Sequence, residues 1–179
     1  DLIRRGVDRA TLISDVRYVG SDTYVTSRIL ARRLERQSFD WILSGTHSLD
    51  GGTAHVPAQV ADVLGLAQLS NVIQVDRERL ISGSTVVDAH GDDEVLRLAV
   101  DGPAVLSLEY ATGLKLPYIP VESFELDVRD RITVIDNAVL GFDETEIGLA
   151  GSLTRVVKAR VRTYERKDTV YVHCDEEGI

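Results

Sequence analysis

The sequence has one cysteine and no methionine, and only 6% of its residues are aromatic. A single thiol, Cys174, excludes an internal disulfide and a cysteine-rich metal site, and a reducing, cytoplasmic setting is the simplest reading. So few aromatic rings leave the core to Val, Leu, Ile and Ala. Lysine is absent before Lys115, so the lysine-bearing phosphate loop of many nucleoside triphosphatases has no counterpart in this stretch. No apolar run approaches the length needed to cross a bilayer and no secretory signal is visible, so we expect no membrane insertion. Positive charge is also short: 20 Lys and Arg stand against 29 Asp and Glu, a formal net charge of −9. That argues against nucleic acid as the main partner, because phosphate neutralisation needs a clustered basic surface. A nucleotide is still allowed, since backbone amides can bind it locally.

What is present fits an ordinary globular protein. The chain has 179 residues, 44% hydrophobic and 27% charged, enough for one domain with a proper core. We expect a domain over residues 1–157 and a C-terminal extension or arm over 158–179. The opening "DLIRRG" reads as the last turn of a helix, with Gly6 as its terminator. Together with the missing methionine, it leads us to expect a further segment upstream.

The first half alternates apolar runs and helical patterns. "ATLIS" (Ala10 to Ser14) has the character of a buried strand, and a helix is predicted from about Thr23 to Arg36. There Val25, Ile29, Leu30 and Leu34 recur at helical spacing, with Arg28, Arg32, Arg33 and Arg36 on the remaining surface. "DWILSG" is a second strand. A loop and a helix ending at "DVLG" follow, with Gly65 where a terminating glycine belongs. Strand, loop, helix repeated twice predicts parallel strands joined by right-handed crossovers, in a sheet covered by helices on both faces. From Asn71 to Val100 the pattern alternates and is broken by "SGS" and "HGDD", which predicts a hairpin or meander insertion. "PAVLSLEY" returns to a buried strand. Beyond Ala111 the pattern weakens, and "ESFELDVRDRITVID" fits a strand or a short helix.

Two loops stand at strand ends and lead into helices: "GSDTYVTS" and "LDGGTAHVP". In open parallel sheets the ligand crevice lies outside the carboxyl ends of the strands, and helix N-termini point free N–H groups into it. Gly51 and Gly52 would let a phosphate approach the backbone closely, Thr53 adds a hydroxyl, and Pro57 suits a first helical turn. The bland alternative is that Asp22 and Asp50 only cap helices and the glycines only turn the chain. His47 and His55 have the residue type of general bases or metal ligands, but no Cys or Glu cluster accompanies them. Ser44 and Ser48 lack the G-x-S-x-G elbow of a hydrolase nucleophile. We therefore assign no catalytic and no metal-binding residue, and read His90 as part of a turn.

These motifs resemble the β-subunit of electron transfer flavoproteins. "GTHSLDGGTAHVPAQVADVLGL" is similar to the family's "DGDTAQVGP" segment and the helix after it. "GVDRATLISD" and "GSDTYVTSRILARRL" look like "GADxAxLxxD" and "GADTxATSxxLA", the latter typical of the nitrogen-fixation and bifurcating branch. "GLAGSLTRVV" is similar to "GLxGSPTRVV". The resemblance implies a Rossmann-like fold of the adenine nucleotide alpha hydrolase type, and an electron carrier rather than an enzyme. It also implies pairing with an α-subunit that shares an FAD, and an AMP or second FAD in the β-subunit. Redox partners would be flavin dehydrogenases or a ferredoxin or quinone oxidoreductase. By position, Asp50, Gly51, Gly52, Thr53, Ala54, His55 and Val56 would line the nucleotide phosphates, with Thr23, Thr26 and Ser27 facing them across the crevice. The chain departs from the family at Gly52 (Asp), at His55 (Gln) and in "LKLPYIP", where Tyr118 is the main match. The family's basic run is replaced by acidic "ESFELD". An alternative reading is a nucleotide-binding sensor or scaffold of the same superfamily without redox activity. A third, a small hydrolase using His47 or His55, is the weakest.

Overall fold

A computed structural model describes residues 1–48, 51–113 and 116–157. The C-terminal arm expected over 158–179 lies outside the described residues, as does Asp50. The chain starts with a 3-10 turn, Ile3–Arg5, closed by Gly6 in the left-handed region (φ 106°). The strands are β1 (Ala10–Ile13), β2 (Trp41–Gly45), β3 (Ala67–Val75), β4 (Ser84–His90), β5 (Val95–Asp101), β6 (Ala104–Leu108) and β7 (Ile132–Ile135). The helices are α1 (Thr23–Leu34), α2 (Val56–Leu64) and the single turns α3 (Arg77–Leu80), α4 (Asn137–Leu140) and α5 (Gly148–Gly151).

The larger sheet has the order β2-β6-β3-β4-β5. β6 pairs in parallel with β2 and β3 on either side, and β3, β4 and β5 form an antiparallel meander. The architecture is α/β, as the sequence predicts, with the meander in its expected place. β6 sits between two parallel neighbours, and "AVLS" carries no charge: Ala104, Val105, Leu106 and Ser107 are all buried, as a strand covered on both faces requires. The meander instead alternates, so Thr85, Val87 and Ala89 of β4 turn inward. With Val72, Val100, Ala104 and Leu106 the inward apolar side chains form one core.

β1 departs from expectation. It pairs in parallel with β7 in a separate two-stranded sheet. β1 and β2 are therefore not hydrogen-bonded neighbours among the described residues, and Leu12 is 56% exposed. A second core lies between this sheet and α1, where Val25 and Ile29 meet Ile135, Leu140, Phe142 and Ile147. The arginine face of α1 is used for attachment. Arg28 bonds Glu146 at 2.7 Å, Arg28 and Arg32 stand 5.5 and 4.6 Å from the centre of the Phe142 ring, and Arg36 donates to the Val139 carbonyl at 2.7 Å. α1 and α2 pack together, and α2 lies on β3 and β6, which brings both helix N-termini to the carboxyl ends of the strands. Among the described residues, no helix is long and apolar enough to cross a membrane.

Candidate nucleotide-binding site

The two helix N-termini are built differently. α1 is closed by the protein itself. Asp22, in extended backbone conformation, accepts from Val25 N–H at 3.0 Å through Oδ1, the usual N-cap bond. Its Oδ2 accepts from the N–H and the hydroxyl of Thr154 at 2.8 and 3.0 Å, 132 residues further along the chain. The Asp22 N–H donates to Ser152 Oγ at 2.9 Å, and Ser152 Oγ donates towards the carbonyls of Gly148 and Gly20. Partial burial alone would raise the Asp22 carboxyl, but the hydrogen bonds from Val25, Thr154 and Leu153 outweigh it and hold the group below the ordinary carboxylate range. Gly148 makes this closure fit. Its φ is +57°, and a Cβ there would run into the Arg17 carbonyl.

Asp15 anchors the same side. Its side chain accepts from Arg17 Nε and Nη2 at 2.9 and 2.6 Å and from Asn137 N–H at 2.9 Å. The Arg17 guanidinium bonds, with the Arg17 and Asn137 amides, hold this carboxyl far below its usual range.

Among the described residues, no such plug stands at the start of α2. His55 precedes it with no side-chain capping bond, and Pro57 occupies the first turn. Upstream, Gly52 (φ +61°) and Ala54 (φ +58°) are both left-handed. A Cβ on Gly52 would meet nothing, so the backbone there faces open space. Gly51, Gly52, Thr53, Ala54 and His55 are all exposed, and Gly51 N–H donates to Ser48 Oγ at 3.3 Å. With no acidic residue in the first turn of α2, no side chain of that turn offsets the partial positive charge of the terminus.

Between the ends of β2 and β6 lies a cavity of about 520 Å³ whose wall includes Ser44, Thr46, His47, Glu109 and Thr112. Thr46 Oγ1 donates to the Leu108 carbonyl at 3.0 Å, tying the two strand ends together. Ser44 Oγ is buried and has no hydrogen-bond partner among the described residues. A buried hydroxyl without a partner is costly and suits a ligand that supplies one. A second cavity of about 280 Å³ opens at the end of β1, lined by Ile13, Tyr18 and Thr26.

The residues singled out in the sequence therefore separate. Gly51 to Val56 stay together at the open terminus. Thr26 lines the smaller cavity and Thr23 starts the closed helix. Ser27 faces neither, because it is fully buried and its hydroxyl is bonded to the Thr23 carbonyl at 2.7 Å and to Gln59 Oε1 at 3.0 Å, between α1 and α2. Sequence reasoning missed Glu109 and Thr46 as wall residues. The signal was present, since each is the first residue past a strand. No group of three or more His, Cys, Asp or Glu among the described residues is arranged to hold a metal.

A family model described as "Electron transfer flavoprotein domain" matches residues 1–111, from the first strand through the open terminus to the end of β6. The chain belongs to the electron transfer flavoprotein domain family. A protein of Thermoanaerobacterium thermosaccharolyticum named electron transfer flavoprotein subunit beta is 26% identical over 183 residues, covering 100% of this chain and 68% of that protein. Its namesake from Megasphaera elsdenii is 30% identical over 171 residues, covering 88% and 61%. The acryloyl-CoA reductase electron transfer subunit gamma of Anaerotignum propionicum is 28% identical over 169 residues, covering 89% and 61%. The chain thus spans 61–68% of the length of these relatives of the flavoprotein family.

Proposed function

We propose that the chain serves as a β-type subunit of an electron transfer flavoprotein, binding an adenine nucleotide and pairing with an α-subunit. The observation that carries the nucleotide part is the open N-terminus of α2. Its first-turn N–H groups and the Gly51–Ala54 backbone suit a phosphate, and Thr53 and His55 add donors. A mononucleotide or the pyrophosphate of a dinucleotide would suit it equally, so AMP and FAD are both candidates. A further polar group of the same ligand would give the buried Ser44 hydroxyl a partner. A flavin, when bound, supplies the redox chemistry itself, and the protein's task is to hold and orient the cofactor and keep water away from it.

In this reading the chain is a carrier subunit in the cytoplasm. It passes electrons between flavin dehydrogenases and a ferredoxin- or quinone-linked acceptor. The relatives named as β-subunits and as the electron transfer subunit of a reductase support that role. Co-expression with an α-subunit should give a yellow complex that releases flavin and an adenine nucleotide on denaturation. A colourless, monomeric product without extractable nucleotide would overturn it.

One observation favours a second reading. The terminus of α1 is occupied by Asp22 and Thr154, so half of the crevice the resemblance implies is closed to anions. A module that binds AMP through α2 alone, without flavin, would look like this. Visible absorbance of the purified complex separates the two.

A further inference from the structure

β5 closes one side of the larger sheet, and among the described residues nothing pairs with its outer edge. Free strand edges are commonly blunted by lysine, proline or a bulge. β5, "VLRLAVD", carries none of these. Its register with β4 runs unbroken from Val95 to Asp101, whereas β3 shifts register against both β4 and β6. The phase of the ladder fixes which backbone groups face out. Gly91 N–H donates to the Glu94 carbonyl and Gly102 N–H to the Gly83 carbonyl. Bonded residues alternate in an antiparallel pair, so Leu96, Leu98 and Val100 bond to β4. Val95, Arg97, Ala99 and Asp101 turn their N–H and C=O groups to the free edge, and their side chains are exposed on one face of the sheet. Arg97 spends Nε and Nη2 on Asp88, at 2.8 and 2.9 Å, yet its side chain stays 72% exposed. The Asp101 carboxylate makes no hydrogen bond or ion pair among the described residues.

We propose that β5 is a self-association edge, to which a second copy of this chain adds its own β5 in antiparallel pairing, making one sheet across two molecules. The strand is complementary to itself in one register. With Ala99 on the two-fold axis, Arg97 of each copy lies opposite Asp101 of the other. Outward backbone groups then meet outward groups: Ala99 pairs with Ala99 and Arg97 with Asp101, each exchanging both bonds. Opposite charges directly across a strand pair stabilise it. Leu98 and Val100, which pack in the core of the sheet, become neighbours across the axis, so the apolar layer runs on between the copies. The neighbouring registers fit less well. Centring the pair on Arg97 sets two arginines face to face, and centring it on Leu98 leaves Arg97 opposite Ala99. Centring it on Val100 puts Arg97 opposite Pro103, which has no N–H to give. One strand pair buries a small area, so association in the micromolar range is expected. This pairing goes beyond the nucleotide reading and does not rest on it.

The test is sedimentation equilibrium of the full chain from about 1 to about 300 μM, a span that brackets micromolar affinities. Wild type should move from monomer towards dimer as concentration rises. Asp101→Arg and Arg97→Asp each set like charges opposite one another at both ends of the pair, and each should weaken association about tenfold or more. Mixed in equal amounts, the two variants should dimerise like wild type, because each cation of one then faces an anion of the other. Hydrogen exchange of wild type needs no variant: protection of the Arg97, Ala99 and Asp101 amides should rise with concentration. Arg97→Asp also loses its bond to Asp88; should it fail to fold, Asp101→Arg and the exchange data decide. A monomer throughout the range, undiminished association of the folded single variants, or a mixture that stays monomeric would overturn the proposal. Protection of those three amides that ignores concentration would overturn it and assign the edge to another segment of the same chain. Protection that appears only with an α-subunit would overturn it in favour of that partner. A dimer whose Arg97, Ala99 and Asp101 amides stay unprotected would place the contact elsewhere and overturn it too.

Discussion

Two helix N-termini stand at the strand ends of this molecule, and among the described residues only that of α1 is closed by a side chain. At α1, Asp22 spends one carboxylate oxygen on the cap and the other on Thr154. At α2, His55 makes no cap and the preceding backbone is left-handed at Gly52 and Ala54 and exposed. In the sequence the two loops look alike, each a glycine-containing turn with an aspartate before a helix. What separates them is a partner 132 residues away from Asp22. A helix terminus is an anion site only if the protein has not already supplied the anion.

The largest effect should come from breaking the closed side. Gly148→Ala places a methyl group against the Arg17 carbonyl at a left-handed position, and should cost about 3 kcal/mol. Thermal unfolding would then fall by about 6–12 °C. Asp22→Ala removes the cap and both Thr154 bonds, and should cost about 2 kcal/mol in denaturant unfolding. If α1 is closed as described, that variant keeps the AMP affinity of wild type. On the open side, Gly52→Glu puts a negative charge where the phosphate would lie. It should weaken AMP binding about tenfold, equal to about 1.4 kcal/mol, with a smaller loss of stability. A Gly52→Glu variant that binds AMP normally would move the site elsewhere.

The smallest effect is on pH dependence. Asp15 and Asp22 are both held below the ordinary carboxylate range in the folded protein. Each therefore contributes stability that is present above about pH 4, the unfolded carboxylate range, and is lost as pH falls through the lowered folded value. Asp22→Asn, which still caps a helix, should flatten that acid limb in unfolding curves taken from about pH 6 to about pH 3. An unchanged slope would show that Asp22 does not titrate with folding.

Legibility in the sequence follows the range of the interactions. α1, α2, β2 and β6 were readable because periodicity, Gly65 and uninterrupted apolar runs are local signals. The meander was readable from its alternation. β7 was ambiguous because "ITVI" is short and half exposed, and its pairing with β1 joins residues more than a hundred positions apart. The Gly51–Val56 loop was legible as a turn at a helix start, whereas the burial of Ser27 against Gln59 depends on how α1 meets α2. His90 looked like part of a turn because its partner, Glu109, lies 19 residues away, just past the end of β6.

The central claim is that the open terminus of α2, and not that of α1, receives the phosphate. The direct measurement is a two-dimensional amide NMR titration of the protein with AMP. The account predicts shifts concentrated at the amides of Gly51 to Ala58 and at Ser44, with Thr23 to Ser27 unmoved. Shifts concentrated at Thr23 to Ser27, or none at Gly51 to Ala58, would contradict it.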